Sequence, residues 1–153
     1  MNKLLISHRG NLRGPNPDFE NNPNHIENNV LPYFDCEVDL RFDSDNNAFY
    51  LGHDFNQYKV DYSWLENFSE KLWIHCKDFD SLDYLCKSSS ELNYFWHEND
   101  SFTITSRGYI WTYPGSNFYG SKSINVNLAK EVKKQNYYGI CSDYIENLVI
   151  LET

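Results

Sequence analysis

Apolar and polar side chains alternate most regularly in residues 34–42. The apolar positions are Cys36, Val38 and Leu40, and the polar positions are Glu37, Asp39 and Arg41. Alternation with a period of two predicts a β-strand with one buried face. The other face would carry Glu37 and Asp39 roughly 6–7 Å apart along the strand.

Shorter patterns of the same kind predict further strands over residues 3–7, 48–52, 71–77, 93–97, 124–126 and 138–142, and a hairpin over 102–113. Helices are predicted over residues 22–31, 62–68, 79–88 and 128–134. Strands that alternate with helices are typical of parallel βαβ units, so we expect an α/β fold. The length of 153 residues predicts a single domain, residues 1–153.

Four of the five histidines lie at or just past the end of a predicted strand: His8, His53, His75 and His97. The carboxyl ends of parallel strands share one face of a sheet, where active sites form. We therefore expect these four side chains to meet beside Glu37 and Asp39. His25 falls in the first predicted helix and receives no role.

Two carboxylates in line repel each other unless a positive charge lies near them. A divalent cation with oxygen ligands is the natural partner for Glu37 and Asp39. The alternative is an amphipathic edge strand with a solvated acidic face, since most acidic side chains are exposed. The alternation in residues 71–77 also places His75 and Lys77 on one face, which adds two candidates to the same site.

The charge and composition narrow the classes of partner. A formal net charge of -9 argues against electrostatic binding to nucleic acid or to an anionic membrane. The first apolar run is too short for a signal peptide, and no segment approaches membrane-spanning length. We expect a cytoplasmic protein without membrane insertion, with its four cysteines reduced and mostly buried.

Four motifs then occur in a particular order: His8-Arg9-Gly10, Glu20-Asn21-Asn22, Glu37-x-Asp39 and Gly52-His53-Asp54. In this order they resemble the motifs of the glycerophosphodiester phosphodiesterase family. His75-x-Lys77 and the segments 109–112 and 139–143 resemble later family segments more loosely. That family has a TIM barrel and hydrolyses phosphodiesters with a divalent cation, usually Ca²⁺ or Mg²⁺.

The resemblance implies a role for each matching residue. His8 and His53 become the acid-base pair, Glu37 and Asp39 bind the metal, and Arg9 and Lys77 bind phosphate. Glu20 and Asn21 would brace the site. Apart from the resemblance, His97, Glu98 and Trp111 are supporting candidates around the pocket, with packing of the barrel mouth or core as the alternative. His75 stands where the family has a third acidic ligand, so Mn²⁺ or Zn²⁺ would suit this chain. The alternatives are that Glu98 or Asp100 is the third ligand, or that His75 contacts phosphate directly.

The expected fold is a compact, reduced TIM-type (β/α) barrel with some helices missing and a β-hairpin insertion. Helices are expected to be missing because such barrels typically need roughly 250 residues and this chain has 153. The expected function is metal-dependent hydrolysis of a small phosphodiester related to glycerophosphodiesters, in lipid metabolism. The alternatives are a non-catalytic protein that binds a phosphosugar or polyol phosphate, and a structural protein that keeps only the fold. Asp143 remains open between capping a helix and joining the site.

Overall fold

The computed structural model of the chain describes residues 3–88, 91–131 and 137–152. Its ten strands are β1 (Leu4–His8), β2 (Asp35–Asp43), β3 (Ala48–Leu51), β4 (Tyr58–Val60), β5 (Leu72–Cys76), β6 (Tyr94–Phe95), β7 (Phe102–Ile104), β8 (Ile110–Thr112), β9 (Ser123–Val126) and β10 (Gly139–Ser142). The helices are α1 (Pro23–His25), which continues into a π-helical turn (Ile26–Val30), α2 (Tyr62–Asn67), α3 (Phe79–Lys87) and α4 (Ile145–Glu152). None of the described helices is long and apolar enough to cross a bilayer.

The strands form one mixed sheet with β1 near its centre. β1 is parallel to β2 on one side and to β10 on the other, and the sheet continues from β10 through β9 and β8 to the antiparallel β7. β2 is parallel to β5 along most of its length and antiparallel to β3 at its end. This register sets His8 opposite Glu37, and Asp39 opposite His75.

The alternation predicted for β2 and β5 is confirmed by the side on which each residue packs. The apolar side chains Cys36, Val38, Leu40, Leu72 and Ile74 join one cluster that also includes residues of the helices. The opposite face of β5 carries Trp73, which joins a second cluster with residues of β1, β6, β8, β9 and β10. Strands so far apart in the sheet can share a cluster only because the sheet curls around this face.

The expectation of a reduced TIM-type α/β barrel is wrong. The sheet is a curled half-barrel of mixed strand direction, with about 20% helix in four short helices along the described chain. One cause is the connections: β8 and β9 are joined by residues 113–122, which is fewer than the dozen or more residues that a helical crossover needs. Residues 128–131 are not helical either, and residues 132–134 of that predicted helix lie outside the described residues.

Hydrogen bonds link the segments around β6 and β7, the two edges of the curled sheet, which do not form a backbone ladder in the described structure. The Ser106 hydroxyl accepts a hydrogen bond from the backbone N–H of Tyr94 at 3.0 Å, and the Ser106 N–H donates to the Tyr94 carbonyl at 2.8 Å. The Thr103 hydroxyl donates to the Trp96 carbonyl at 3.0 Å. These bonds hold residue 96 and its neighbours against the hairpin beside the cavity described next.

Candidate active site

A cavity of about 360 Å³ lies where the strand-end histidines meet. Its polar and charged lining residues include His8, Arg9, Glu37, His53, His75, Lys77, His97 and Glu98. Its apolar lining residues include Trp96, Trp111, Tyr113, Pro114, Val126 and Leu128. All four histidines that were expected to converge therefore do so. His25 lies elsewhere, with Nε2 at 2.9 Å from the Gly10 carbonyl oxygen.

Three candidate metal ligands lie together at this cavity, with Glu37 and His75 in its lining and the fully buried Asp39 beside them. Each of Glu37, Asp39 and His75 offers a donor atom, and the three atoms lie within 4.8 Å of one another. Nδ1 of His75 is 3.7 Å from Oε1 of Glu37 and 3.6 Å from Oδ1 of Asp39. Glu98 and Asp100, the alternative third ligands, are not in this group. Of the three candidates for the third position, His75 is the one that the structure brings close to the two carboxylates.

The imidazole of His75 is held in one orientation. Its Nε2–H donates to the carbonyl oxygen of His97 at 3.0 Å, and its ring stacks on Phe95 at 4.9 Å with an angle of 18°. A neutral ring that donates from Nε2 has its lone pair on Nδ1, which is the atom that faces the two carboxylates. Metal-binding histidines commonly donate their second N–H to a backbone carbonyl in this way. His75 is thus oriented as a ligand.

Asp39 is fully buried, and its two oxygens have different surroundings. Oδ2 accepts a hydrogen bond from Nδ2 of Asn21 at 3.0 Å, and the Asp39 N–H donates to Oδ1 of Asn21 at 2.9 Å. Oδ2 also lies 3.0 Å from Nε of Arg9, in an ion pair whose N–H is not aligned for a hydrogen bond. Oδ1 accepts no hydrogen bond from the described residues. A buried carboxylate oxygen without a donor is costly, and a cation would satisfy it.

Glu37 is also buried, and it lies close to two of the four histidines of the cavity, His8 and His75. Oε2 of Glu37 is 3.8 Å from Nε2 of His8 and accepts a hydrogen bond from the Arg9 N–H at 3.3 Å. Burial alone would raise the pKa of Glu37, but protonated His75 and His8 rings, through hydrogen bonding and positive charge, lower it well below its ordinary value. A cation bound at Nδ1 of His75 would supply positive charge in place of that ring's proton. Glu37 is therefore an anion when the site is ready to accept a cation.

His8 is positioned by Asp143, which follows β10. Nδ1 of His8 donates to Oδ1 of Asp143 at 2.7 Å, and Nδ2 of Asn11 donates to the same oxygen at 2.8 Å. Burial would lower the pKa of His8, but the bond to Asp143 and the charge of Glu37 outweigh it and raise this pKa above the ordinary value. Because Nδ1 is engaged, Nε2 is the nitrogen that remains for a ligand.

His53 reaches the cavity from the loop after β3 and is more exposed than His8, with 40% of its side chain accessible. Its Nδ1 is 2.8 Å from Oδ1 of Asp54. Arg41 holds the loop by donating to the carbonyls of Gly52 and His53. A Cβ at Gly52 would lie 2.1 Å from the carbonyl oxygen of Phe55, so this tight turn requires glycine.

The two predicted phosphate-binding residues have different surroundings. Arg9 adopts a left-handed backbone conformation with φ of 56°. Its guanidinium contacts Asp39 and lies 3.7 Å from Glu20, so much of its charge is compensated. Glu20 and Asn21 therefore do lie behind the site, as the resemblance implied. Lys77 lines the cavity, and none of the described carboxylates lies within ion-pair distance of its ammonium group.

The supporting residues also lie around this cavity. His97 contributes its backbone carbonyl to His75, while its own Nε2 is 2.7 Å from the Asp100 carbonyl oxygen. Glu98 is exposed, and Trp111 is a buried wall. Sequence reasoning missed Asn11 and left Asp143 undecided. The position of Asp143 directly after a predicted strand, like the positions of the histidines, was the available signal.

Comparison of the chain with protein-family models, with curated proteins and with solved structures finds no match. The resemblance to the glycerophosphodiester phosphodiesterase family therefore stays a prediction from the ordered motifs.

Proposed function

We propose that this chain is a metal-dependent hydrolase of small phosphodiesters. The observation that supports this most strongly is the unpartnered Oδ1 of Asp39, which lies 3.6 Å from Nδ1 of His75. His75 lines the same cavity as His8 and His53. An unoccupied acceptor, a second carboxylate and an imidazole lone pair together are a donor set for a cation. Two histidines beside it are suited to proton transfer.

Glu37, Asp39 and His75 are the residues that would hold the metal. One nitrogen and two carboxylate donors suit Mn²⁺ or Zn²⁺ better than Ca²⁺ or Mg²⁺, which prefer oxygen ligands throughout. When bound, such a cation supplies positive charge that stabilises the phosphoryl group as it gains negative charge. The chain has few other sources of that charge here, because Arg9 is already paired with Asp39.

His8 and His53 are the proposed proton-transfer pair. In each ring Nδ1 contacts an aspartate, Asp143 for His8 and Asp54 for His53, and Nε2 is left for the substrate. One histidine takes a proton from the attacking water as the water oxygen bonds to phosphorus. The other gives a proton to the alcohol oxygen as its bond to phosphorus breaks. Asp143 acts through His8 and is a positioning residue.

Lys77 is the proposed phosphate contact; it follows β5, which pairs with β2 on the side opposite β1 and Arg9. Its ammonium group is not in an ion pair with any described carboxylate, so its charge is available to a non-bridging phosphate oxygen. Arg9 contributes less directly, because its guanidinium also keeps Oδ2 of Asp39 in place.

The test is hydrolysis of bis(p-nitrophenyl) phosphate and glycerophosphocholine with Mn²⁺, Zn²⁺, Mg²⁺ or Ca²⁺ after removal of metal by chelation. We expect metal-dependent turnover that His8→Ala and Glu37→Gln each reduce by at least about 100-fold. Glu66→Gln is the matched control, because it removes one exposed carboxylate from α2. Folded protein that binds metal without turnover on either substrate would contradict the proposal and favour a phosphosugar-binding or polyol-phosphate-binding protein.

A further inference from the structure

The walls of the cavity change character from one side of the sheet to the other. The candidate metal ligands and His8 come from β1, β2 and β5. The opposite walls come from β8, β9 and the segments that follow them, and they are apolar. These apolar residues are Trp111, Tyr113, Pro114, Val126 and Leu128, joined at the mouth by Trp96. A ligand whose phosphate lies at the metal centre would therefore extend along an apolar surface.

The apolar side is already packed without a ligand. Trp111 is 4% exposed, and its ring centroid lies 4.8 Å from Phe95 and 5.7 Å from Trp73. Tyr113 is 39% exposed and meets His97 edge to face at 5.6 Å. Trp96 is 38% exposed. Trp96 and Tyr113 thus present aromatic surface to solvent at the mouth of the cavity, while Trp111 is packed against its neighbours.

We propose that this apolar side binds a flat aromatic ring carried by one alcohol of the substrate, so that the substrate class is a small aryl phosphodiester. This inference rests on the proposed phosphodiesterase function and deepens it. Aromatic side chains stack on rings without needing hydrogen bonds. A polyol in the same place would bury hydroxyl groups against the side chains of Val126 and Leu128, which offer no hydrogen-bond partners, and this is unfavourable. A volume of about 360 Å³ is also near the lower end for small-molecule sites, which favours a short ligand.

Equilibrium binding separates this inference from catalysis, because phosphomonoesters bind without being turned over as diesters. Phenyl phosphate, glycerol 1-phosphate and phosphocholine are titrated by calorimetry into Mn²⁺-loaded protein. We expect phenyl phosphate to bind at least about tenfold more tightly than either other ligand. Trp96→Ala and Tyr113→Ala should each reduce that preference to about threefold or less and leave the affinity for glycerol 1-phosphate unchanged. Phe79→Ala, an exposed aromatic residue on α3, should keep the preference.

Three outcomes would overturn the inference. Equal affinities for phenyl phosphate and glycerol 1-phosphate would remove the aromatic preference, and tighter binding of phosphocholine would show that the aromatic wall selects a cation instead. Loss of the preference in Phe79→Ala as well would show that the ring does not bind in this cavity. A clear preference without any diester turnover would support the aromatic subsite and overturn only the hydrolase.

Discussion

Asp39→Asn should abolish stabilisation of the protein by metal. The metal-free variant should melt below the metal-free wild type, because Arg9 loses its buried ion-pair partner. The substitution keeps the shape of the side chain, and its amide oxygen can still accept the hydrogen bond that Asn21 Nδ2 now donates to Oδ2 of Asp39. It removes the negative charge that faces Nδ1 of His75. The three-donor group of Glu37, Asp39 and His75 then has one carboxylate instead of two.

The size of the effect follows from linkage between binding and folding. A cation present at one hundred times its dissociation constant adds about 2.7 kcal/mol to the free energy of unfolding. For a domain of this length, each kcal/mol raises the melting temperature by roughly 2–4 °C. The wild-type protein should therefore melt roughly 5–10 °C higher with metal than with a chelator. Asp39→Asn should shift by less than about 2 °C.

The assay is thermal denaturation followed by circular dichroism, with each variant compared with its own chelator-treated sample. Mn²⁺ and Zn²⁺ should give larger shifts than Mg²⁺ and Ca²⁺, because His75 supplies a nitrogen ligand. Asp45→Asn is the control, since it removes one carboxylate from the exposed turn after β2. A wild-type shift that Asp39→Asn retains in full would refute the proposed ligand set. The absence of any wild-type shift with all four cations would refute the metal site.

Three other changes test separate parts of the structure. Asp143→Ala removes the acceptor at Nδ1 of His8 and should lower kcat by about 100-fold or more, while the metal-dependent rise in melting temperature persists. Asp143 raises the pKa of His8, so its removal should lower that pKa. The part of the kcat/KM pH profile that reports His8 should therefore move to lower pH. Asp35→Asn should stabilise the protein above pH 6: burial raises the pKa of Asp35 to about 6, so the folded state holds a proton that the unfolded state releases nearer 4. The free energy of unfolding of the wild type should then fall between about pH 4 and 6. In urea unfolding, the variant should exceed the wild type by near zero at pH 4 and by about 1–3 kcal/mol at pH 8. A difference that is the same at all pH values would contradict this. Gly52→Ala should displace the loop that carries His53, because the added Cβ would meet the Phe55 carbonyl oxygen. We expect kcat/KM to fall at least about tenfold and the melting temperature to fall by several degrees. Unchanged kinetics would show that the loop tolerates a Cβ.

The sequence was most informative where a local rule decides the structure. Which face of β2 carries Glu37 and Asp39 depends only on the alternation of side chains along a strand. The convergence of His8 and His75 follows from the parallel pairing of β1, β2 and β5. These features needed no knowledge of the rest of the fold.

Features that depend on distant segments were not predictable in the same way. His53 was expected at the carboxyl end of a parallel strand, but β3 is antiparallel to β2 and returns beside it, so that the Gly52 N–H donates to the Asp39 carbonyl at 3.0 Å. The residue therefore reaches the cavity by a different route from the one expected. The barrel prediction failed because period-two and helical patterns do not specify how short loops such as residues 113–122 will cross the sheet.

The pairing of β1 with β10 has a consequence for the order in which the site can assemble during synthesis. His8 and Asp143 are 135 positions apart, whereas the three candidate metal ligands all lie between residues 37 and 75. Chains emerge from the ribosome with their N-terminal parts first. The candidate ligands are thus available while β10 is still unmade, and His8 gains its positioning partner only when β10 docks. Under the proposed function, the residues of the metal site would therefore all be synthesised long before His8 could be positioned for proton transfer.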